Sequence, residues 1–510
     1  MVLLMTTNYF APEQNASGFE EQLHTALSDL PPTDNLVAQI TPWSRSMKLI
    51  LWGMAFNAMT LPILCLNYIL PTIGILLMFL GFRSLQSENN FFHACKTITL
   101  VQILAVRFPV LIINGTIWQN AFNTLSLNMV FSLANLALTI AVMLNFQNGF
   151  HSVREKAGLL ERTVSVNLLV IWYVILCAFE LIPTSRLWCE IPMLILYGFI
   201  FRAFSKLIRE LDHVGYLIKP ASVKRPEWQP IALLSTILMM GITAGYLLFH
   251  RYPMDWEKAA VTASDEQEEL RTHLLELGIP ENILNDMSKE DIAACEGASR
   301  VFVSQDDHSL NADSSPVLRV TTIAVQLPDK WDGVLTAWKV IHHFEWLGDV
   351  TFYGTEAIEI WPAYYDNDFV WEEERGDNNR FLHSGRVLYT KDGETYASDY
   401  YQLGHTALEH FHPAAGSIDD GERLWLSLSA SFSFPSDADA QRGYVSYQMY
   451  QSIDIHSLFN SMMNYVHQTS ALQYPVVPAT AKFIFGSNDF RTIQTGILVD
   501  PESPDNKPIQ

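Results

Sequence analysis

Seven apolar stretches in the first 250 residues constrain this chain more than any other feature. They run approximately over 48–67, 69–83, 94–113, 122–145, 164–183, 187–205 and 231–249. About 20 apolar helical residues cross roughly 30 Å of hydrocarbon, so the spacing predicts a bundle of about seven membrane helices, the second being the shortest. The first two are separated only by Asn67 and Tyr68, which predicts a tight hairpin turning near Pro71.

Lys and Arg in short loops are retained on the cytoplasmic side. Arg45 and Lys48 precede the first stretch, Arg83 and Lys96 follow the second, Arg154, Lys156 and Arg162 follow the fourth, and a basic run from Arg202 to Arg225 follows the sixth. The alternate loops contain one basic residue, Arg186. The N-terminus is therefore expected in the cytoplasm and everything after His250 outside, and an odd number of spans satisfies both.

The stretch Ile69-Leu70-Pro71, Ile73-Gly74, Leu76-Leu77, with Gly81 and Leu85 beyond it, resembles a hairpin pattern in uncharacterised bacterial multi-pass membrane proteins. That resemblance covers one hairpin. It implies a multi-pass membrane protein and no activity.

Ahead of the bundle, residues 1–46 lack the apolar core of a signal peptide. Ser17 and Glu20, with Phe19, Leu23, Leu27 and Leu30 on one stripe before Pro31-Pro32, read as a short capped amphipathic helix in a cytoplasmic segment. Residues 47–250 form the transmembrane domain, and the basic loop 202–225 suits the anionic inner leaflet.

Arg107 lies within the third apolar stretch, Glu180 near the outer end of the fifth and Glu190 near the outer start of the sixth. The sidedness puts all three in the outer leaflet, where an Arg–Glu pair between helices is geometrically reasonable. Charges in the bilayer are functional candidates, but an interhelical salt bridge is the simpler account. Pro109 predicts a kink in the third helix.

Composition separates the two halves. Residues 1–250 contain 13 Asp and Glu against 15 Lys and Arg, whereas residues 251–510 contain 41 against 17. So acidic a second half argues against nucleic acid, which requires a basic patch, and leaves cationic, neutral or sugar-like partners. Four of the five cysteines lie in apolar runs and only Cys295 lies beyond them, so no disulfide framework is expected.

Residues 251–299 read as a helical spacer outside the membrane. Ser264 with Gln267 makes a capping box, Leu270, Leu274, Leu275 and Leu277 form a stripe, Gly278 ends it, and Pro280 and Ser288 start two further short helices. From residue 300 to 500 the period changes to two, with turns at Asp392-Gly393 and Asp420-Gly421, and many short strands predict an all-β sandwich or jelly roll. One helix is expected within it, over 454–468, because Ile455, Leu458, Phe459, Met462, Met463 and Val466 recur at helical spacing. The polar, proline-rich tail 501–510 is expected to be disordered.

Within the sandwich, KVIHHFEWLGD at 339–349 invites a metal reading. On a strand, His342 shares a face with Trp338, Val340, Phe344 and Trp346, while His343 shares the other with Lys339, Ile341 and Glu345. The adjacent histidines point apart. His343 with Glu345, and His410 with His412, would hold a metal only if their strands were neighbours. In comparison with cupins, the glutamate expected four residues after the HxH pair is Gly416. The simpler reading is an aromatic core face backed by a solvated polar face, with no metal or other cofactor.

Glu356, Glu359, Asp366 and the run Glu372–Glu374 supply carboxylates, but glycoside hydrolysis needs an opposed pair. No nucleophile elbow, phosphate-cradling loop or zinc-protease helix is present, so no catalytic residue is assigned. Trp361, Tyr364, Tyr365, Trp371, Tyr396, Tyr400 and Tyr401 suggest core packing or a glycan surface. The expectation is a membrane protein that displays an acidic sandwich to bind or sense an envelope polysaccharide or protein. An envelope-glycan hydrolase and a transporter using the intramembrane charges are the alternatives.

Overall fold

A computed structural model describes residues 43–58, 66–124, 126–159, 164–180, 186–214, 226–259, 265–310, 315–330, 335–348, 350–364, 369–370, 383–408, 425–452, 458–483 and 489–503. The amphipathic stretch 17–30, His410, His412, Asp366, Trp371 and the Glu372–Glu374 run lie outside the described residues. Contacts divide the chain into two units, residues 1–111 with 125–240, and residues 112–124 with 241–510.

The first half is helical. α1 is Trp43–Ala58, α2 Leu66–Leu85 and α3 Asn90–Val101; a π-helical turn, Gln102–Arg107, leads into α4, Phe108–Ile113. α5 is Gln119–Thr124, α6 Ser126–Lys156, α7 Val164–Glu180, α8 Arg186–His213 and α9 Trp228–Phe249. A helix thus overlaps each apolar stretch. Leu66–Leu85, Asn90–Ile113, Leu127–Lys156 and Trp228–Phe249 are long and apolar enough to cross a membrane.

Two prolines act differently from each other. Pro71 does not mark the turn of a hairpin; it lies inside α2, whose start precedes it by more than a turn. Pro109 has no N–H for the Ala105 carbonyl, and just before it the chain widens to the π register, with the Phe108 N–H on the Ile103 carbonyl.

Glycines set the approach of α1 and α2. A Cβ at Gly74 would stand 2.4 Å from the Asn57 nitrogen and 2.6 Å from the Gly53 carbonyl oxygen, and one at Gly81 2.8 Å from the Ser46 carbonyl oxygen. These are glycines of the hairpin pattern, and backbone contact of this kind is how small residues join helices. Tyr173 and Tyr197 donate to the Met54 and Leu51 carbonyls at 2.8 and 2.7 Å, tying α7 and α8 to α1.

The second half opens with three short helices, α10 (Asp265–Glu276), α11 (Glu281–Asp286) and α12 (Lys289–Ala293), behind a two-residue strand β1, Glu257–Lys258. Gly278, at φ +107°, ends α10: its N–H meets the Leu275 carbonyl while Ile279 reaches back to Leu274. Two orphan carbonyls are thereby satisfied. Ser288 caps α12, accepting from the Asp291 N–H.

The strands that follow are β2 (Arg300–His308), β3 (Leu318–Lys330), β4 (Leu335–Trp346), β5 (Glu356–Tyr364), β6 (Phe369–Val370), β7 (Ser384–Lys391), β8 (Glu394–Asp399), β9 (Gln402–Leu408), β10 (Trp425–Phe432), β11 (Asp439–Ser452), β12 (Phe459–Gln468) and β13 (Phe490–Val499). All pairings are antiparallel. One sheet runs β1-β8-β7-β11-β4-β3-β2, with β6 also on β11; the other runs β13-β12-β5-β10-β9. Asp392 and Gly393, both at positive φ, form the two-residue turn joining β7 to β8.

A single core lies between the sheets, built from Phe302, Trp338, Phe344, Phe432, Tyr447 and Tyr465 among others. A second core lies on the far side of the eight-stranded sheet. There Leu274, Ile283, Leu284 and Ile292 of the helices pack on Ile323, Val325, Ile341 and Tyr444 of the strands. The segment read as a spacer is therefore a third layer of this unit, helix on sheet on sheet. Residues 501–503 are also engaged: Arg300 donates to the carbonyls of Pro501 and Ser503.

Residues 459–468 form a strand, not the expected helix. β12 lies between β13 and β5, with Met463 and Tyr465 facing the core and Met462 and Val466 on the opposite face. Apolar residues on both faces erase the alternation of a strand, and their order mimics helical spacing.

Candidate functional site

The two histidines of β4 enter two different interiors. His342, fully buried between the sheets, lies 3.0 Å from Thr322 Oγ1 and 2.7 Å from Ser461 Oγ, which also receives the Tyr447 hydroxyl. Burial lowers the His342 pKa to about 3, so the ring is neutral. His343, on the opposite face, is under the helices and lies 2.9 Å from Asp286 Oδ2.

The face expected to be solvated is instead a buried charged contact. Asp286 also receives Arg442 Nε at 2.8 Å, and Arg386 donates to the Asp286 and Met287 carbonyls. Asp291 receives Lys339 Nζ at 2.8 Å and the Tyr444 hydroxyl at 2.6 Å, together with the hydroxyls of Ser288 and Ser384. Burial alone would push both carboxyls up. The hydrogen bond with His343 and the charge of Arg442 hold Asp286, and the charge of Lys339 holds Asp291, below the ordinary Asp value. With every oxygen of the two carboxylates engaged, this network docks the helices on the sheet.

Among the described residues, no group of three His, Cys, Asp or Glu side chains could hold a metal. His343 is committed to Asp286, and Glu345 lies opposite Arg319 and Arg442 in the sheet register.

The carboxylates of β5 divide between the two faces of the five-stranded sheet. Glu356 is enclosed, with both oxygens 3.0 Å from His467 Nδ1. Glu359 faces outward, since its neighbours Ile358 and Ile360 point into the core. Three residues apart on one strand, they do not form an opposed pair.

Glu359 is 7% exposed and accepts from Ser427 Oγ at 2.9 Å. Burial raises its pKa, against hydrogen bonds from Ser427 and Asn464. No Lys, Arg or His among the described residues pairs with it. Register places Gln494, Asn464, Glu359, Ser429 and Gly404 in one row across all five strands, and Gly496, Met462 and Trp361 in the next. Trp361, two residues from Glu359, is half-buried and stacks on no described ring.

The other aromatic candidates have partners. Tyr400 is buried and donates to the Tyr444 carbonyl at 3.0 Å. Tyr396 stacks on Tyr389, and Tyr401 on Tyr252. The side chain of Tyr364, and Tyr365 entirely, lie outside the described residues.

In the helical half, Arg107 closes the π turn. Its Nη2 donates to the Tyr68 carbonyl at 2.9 Å and its Nε to Thr72 Oγ1 at 3.2 Å, both on α2 near Pro71. The side chains of Glu180 and Glu190 lie outside the described set. A second polar contact within the helices joins Gln102 to Asn135 and Thr139 at 2.7 and 3.0 Å.

The buried contacts of Asp286, Asp291 and Arg442 were not singled out from the sequence. Their one local signal is the Ser288-x-x-Asp291 cap. Glu359 and Trp361 were named separately, and their period-two spacing on a single strand is what joins them.

No protein-family model matches this chain, and neither does any curated protein. Several solved structures overlap part of it. One is of manganese lipoxygenase of Gaeumannomyces graminis with part of zonadhesin of Komagataella pastoris, at 12% identity and TM-score 0.16; the match covers 37% of this chain and 56% of that one. A collagen-binding domain from a Staphylococcus aureus adhesin gives 7% identity and TM-score 0.16, over 32% of this chain and 87% of that one. A pore-forming protein gives 6% identity and TM-score 0.19, over 41% and 94%. Overlaps this slight carry no argument about fold or function.

Proposed function

We propose that this chain is a multi-pass membrane protein of the bacterial cell envelope, with its N-terminus in the cytoplasm. Its sandwich lies outside and binds or senses an envelope ligand on the outward face of the five-stranded sheet. The observation that carries the membrane reading is the apolar exterior of the helices. Met239, Met240, Leu247 and Leu248 of α9 are 61–72% exposed, as are Met129 and Val130 of α6 at 65% and 57%. Exposed apolar surface on this scale requires lipid or a partner.

The binding reading rests on Glu359. A carboxylate withdrawn from water without a counter-charge is costly to keep, and groups of this kind gather at functional sites. The expected sidedness follows from the basic loops.

Protease added to intact spheroplasts tests the topology. A tag after residue 503 is expected to be cleaved and a tag before residue 43 to survive; protection of the C-terminal tag would sink the outward orientation. Retention of solubilised envelope material by the full chain in nanodiscs, and its loss in Glu359→Leu, tests the binding face.

A further inference from the structure

Resting on that reading of the sheet face, we infer that its ligand is an uncharged saccharide, lying across the strands over Trp361 and hydrogen-bonded by Glu359, Asn464 and Gln494. The row through Glu359 crosses five strands. Four inter-strand steps of about 4.8 Å make it roughly 19 Å long. Along it stand a carboxyl and two amides, a mixture of donors and acceptors. An alternating set of hydroxyls on a sugar ring satisfies such a mixture, whereas an amine would engage one acceptor and leave the amides unused.

Charge narrows the class. The two rows contain no Lys, Arg or His, so nothing there neutralises an acidic polysaccharide, and Glu359 repels one. Trp361 supplies an apolar ring beside these groups, matching the C–H face of a pyranose as aromatic surfaces in ligand sites do. Gln494 is exposed and Asn464, Ser429 and Trp361 are half-buried, so the row is open toward β13. Two rows along, beyond Met462, Asn460 on the same face keeps a buried Oδ1 with no hydrogen-bond donor among the described residues.

The test is calorimetric titration of the full chain in nanodiscs with neutral hexasaccharides of glucose, mannose and N-acetylglucosamine, and with spermidine as an amine probe. At least one hexasaccharide is expected to bind. Trp361→Ala and Glu359→Leu should each weaken it by about tenfold, and Gln494→Ala, at an exposed position that leaves folding unchanged, by about threefold. Trp361→Phe should recover most of the loss, with thermal midpoints showing each variant folded.

Absence of saccharide binding, or binding indifferent to Trp361→Ala and Gln494→Ala, would overturn the inference. Spermidine binding alone, abolished in Glu359→Gln, would overturn the saccharide class but keep the binding face. Envelope material retained equally by wild type and Glu359→Leu would remove the face itself.

Discussion

Lys339 Nζ lies 2.8 Å from Asp291 Oδ1, with the two side chains only 1% and 5% exposed. The lysine comes from the centre of β4 and the aspartate from the first turn of α12, so this pair crosses from sheet to helical layer. Removing one member of a buried pair strands the other, at a cost of about 3–5 kcal/mol. Lys339→Met is therefore expected to lower the melting temperature of the full chain by on the order of 10 °C, and Lys339→Met with Asp291→Asn to recover part of it. Scanning calorimetry decides, and an unchanged midpoint in the single variant would refute the role of the pair.

His342 sets an acid limit. Its folded-state pKa is depressed to about 3 from 6.5, so between those values the unfolded chain binds a proton that the folded chain excludes. Stability from this residue is complete above pH 6.5 and falls by about 1.4 kcal/mol for each unit below it. Urea unfolding at pH 6.5 and 4.5 is expected to show this slope, and His342→Gln to flatten it.

The α1–α2 approach should not tolerate a side chain. Gly74→Val would drive a Cβ into the Asn57 nitrogen and Gly53 carbonyl, and overpacking against backbone costs about 1–3 kcal/mol. The yield of monodisperse protein in detergent is expected to fall, while Gly198→Val, at a position with open space around its Cβ, should be neutral.

Gly278→Ala tests the end of α10. The native φ of +107° places an alanine Cβ against its own backbone, at a cost of about 1–2 kcal/mol. A lower melting midpoint with an unchanged circular dichroism spectrum is the expected result.

The sequence's periodicities carried unequal amounts of information. Apolar run length located the long helices described in the first half, and Gly278 and Ser288 marked real helix ends because capping is local chemistry. Alternation on β4 correctly sent His342 and His343 to opposite faces. It was silent on what covers the second face, because Asp286 and Asp291 lie some fifty residues away and polar residues there read as solvated. Glu359 was visible as a carboxylate, but its isolation depends on which strands neighbour β5, and pairing across β12 and β10 is not written locally.

β4 is enclosed by the inter-sheet core on one side and by the helices on the other, and flanked by β3 and β11 along its length. Its amide protons are paired within the sheet and covered on both faces, so they should be among the slowest in this unit to exchange with deuterium. A fast-exchanging β4 would mean that the helical layer lifts off by itself, and the isotope pattern along residues 335–346 would then time that motion.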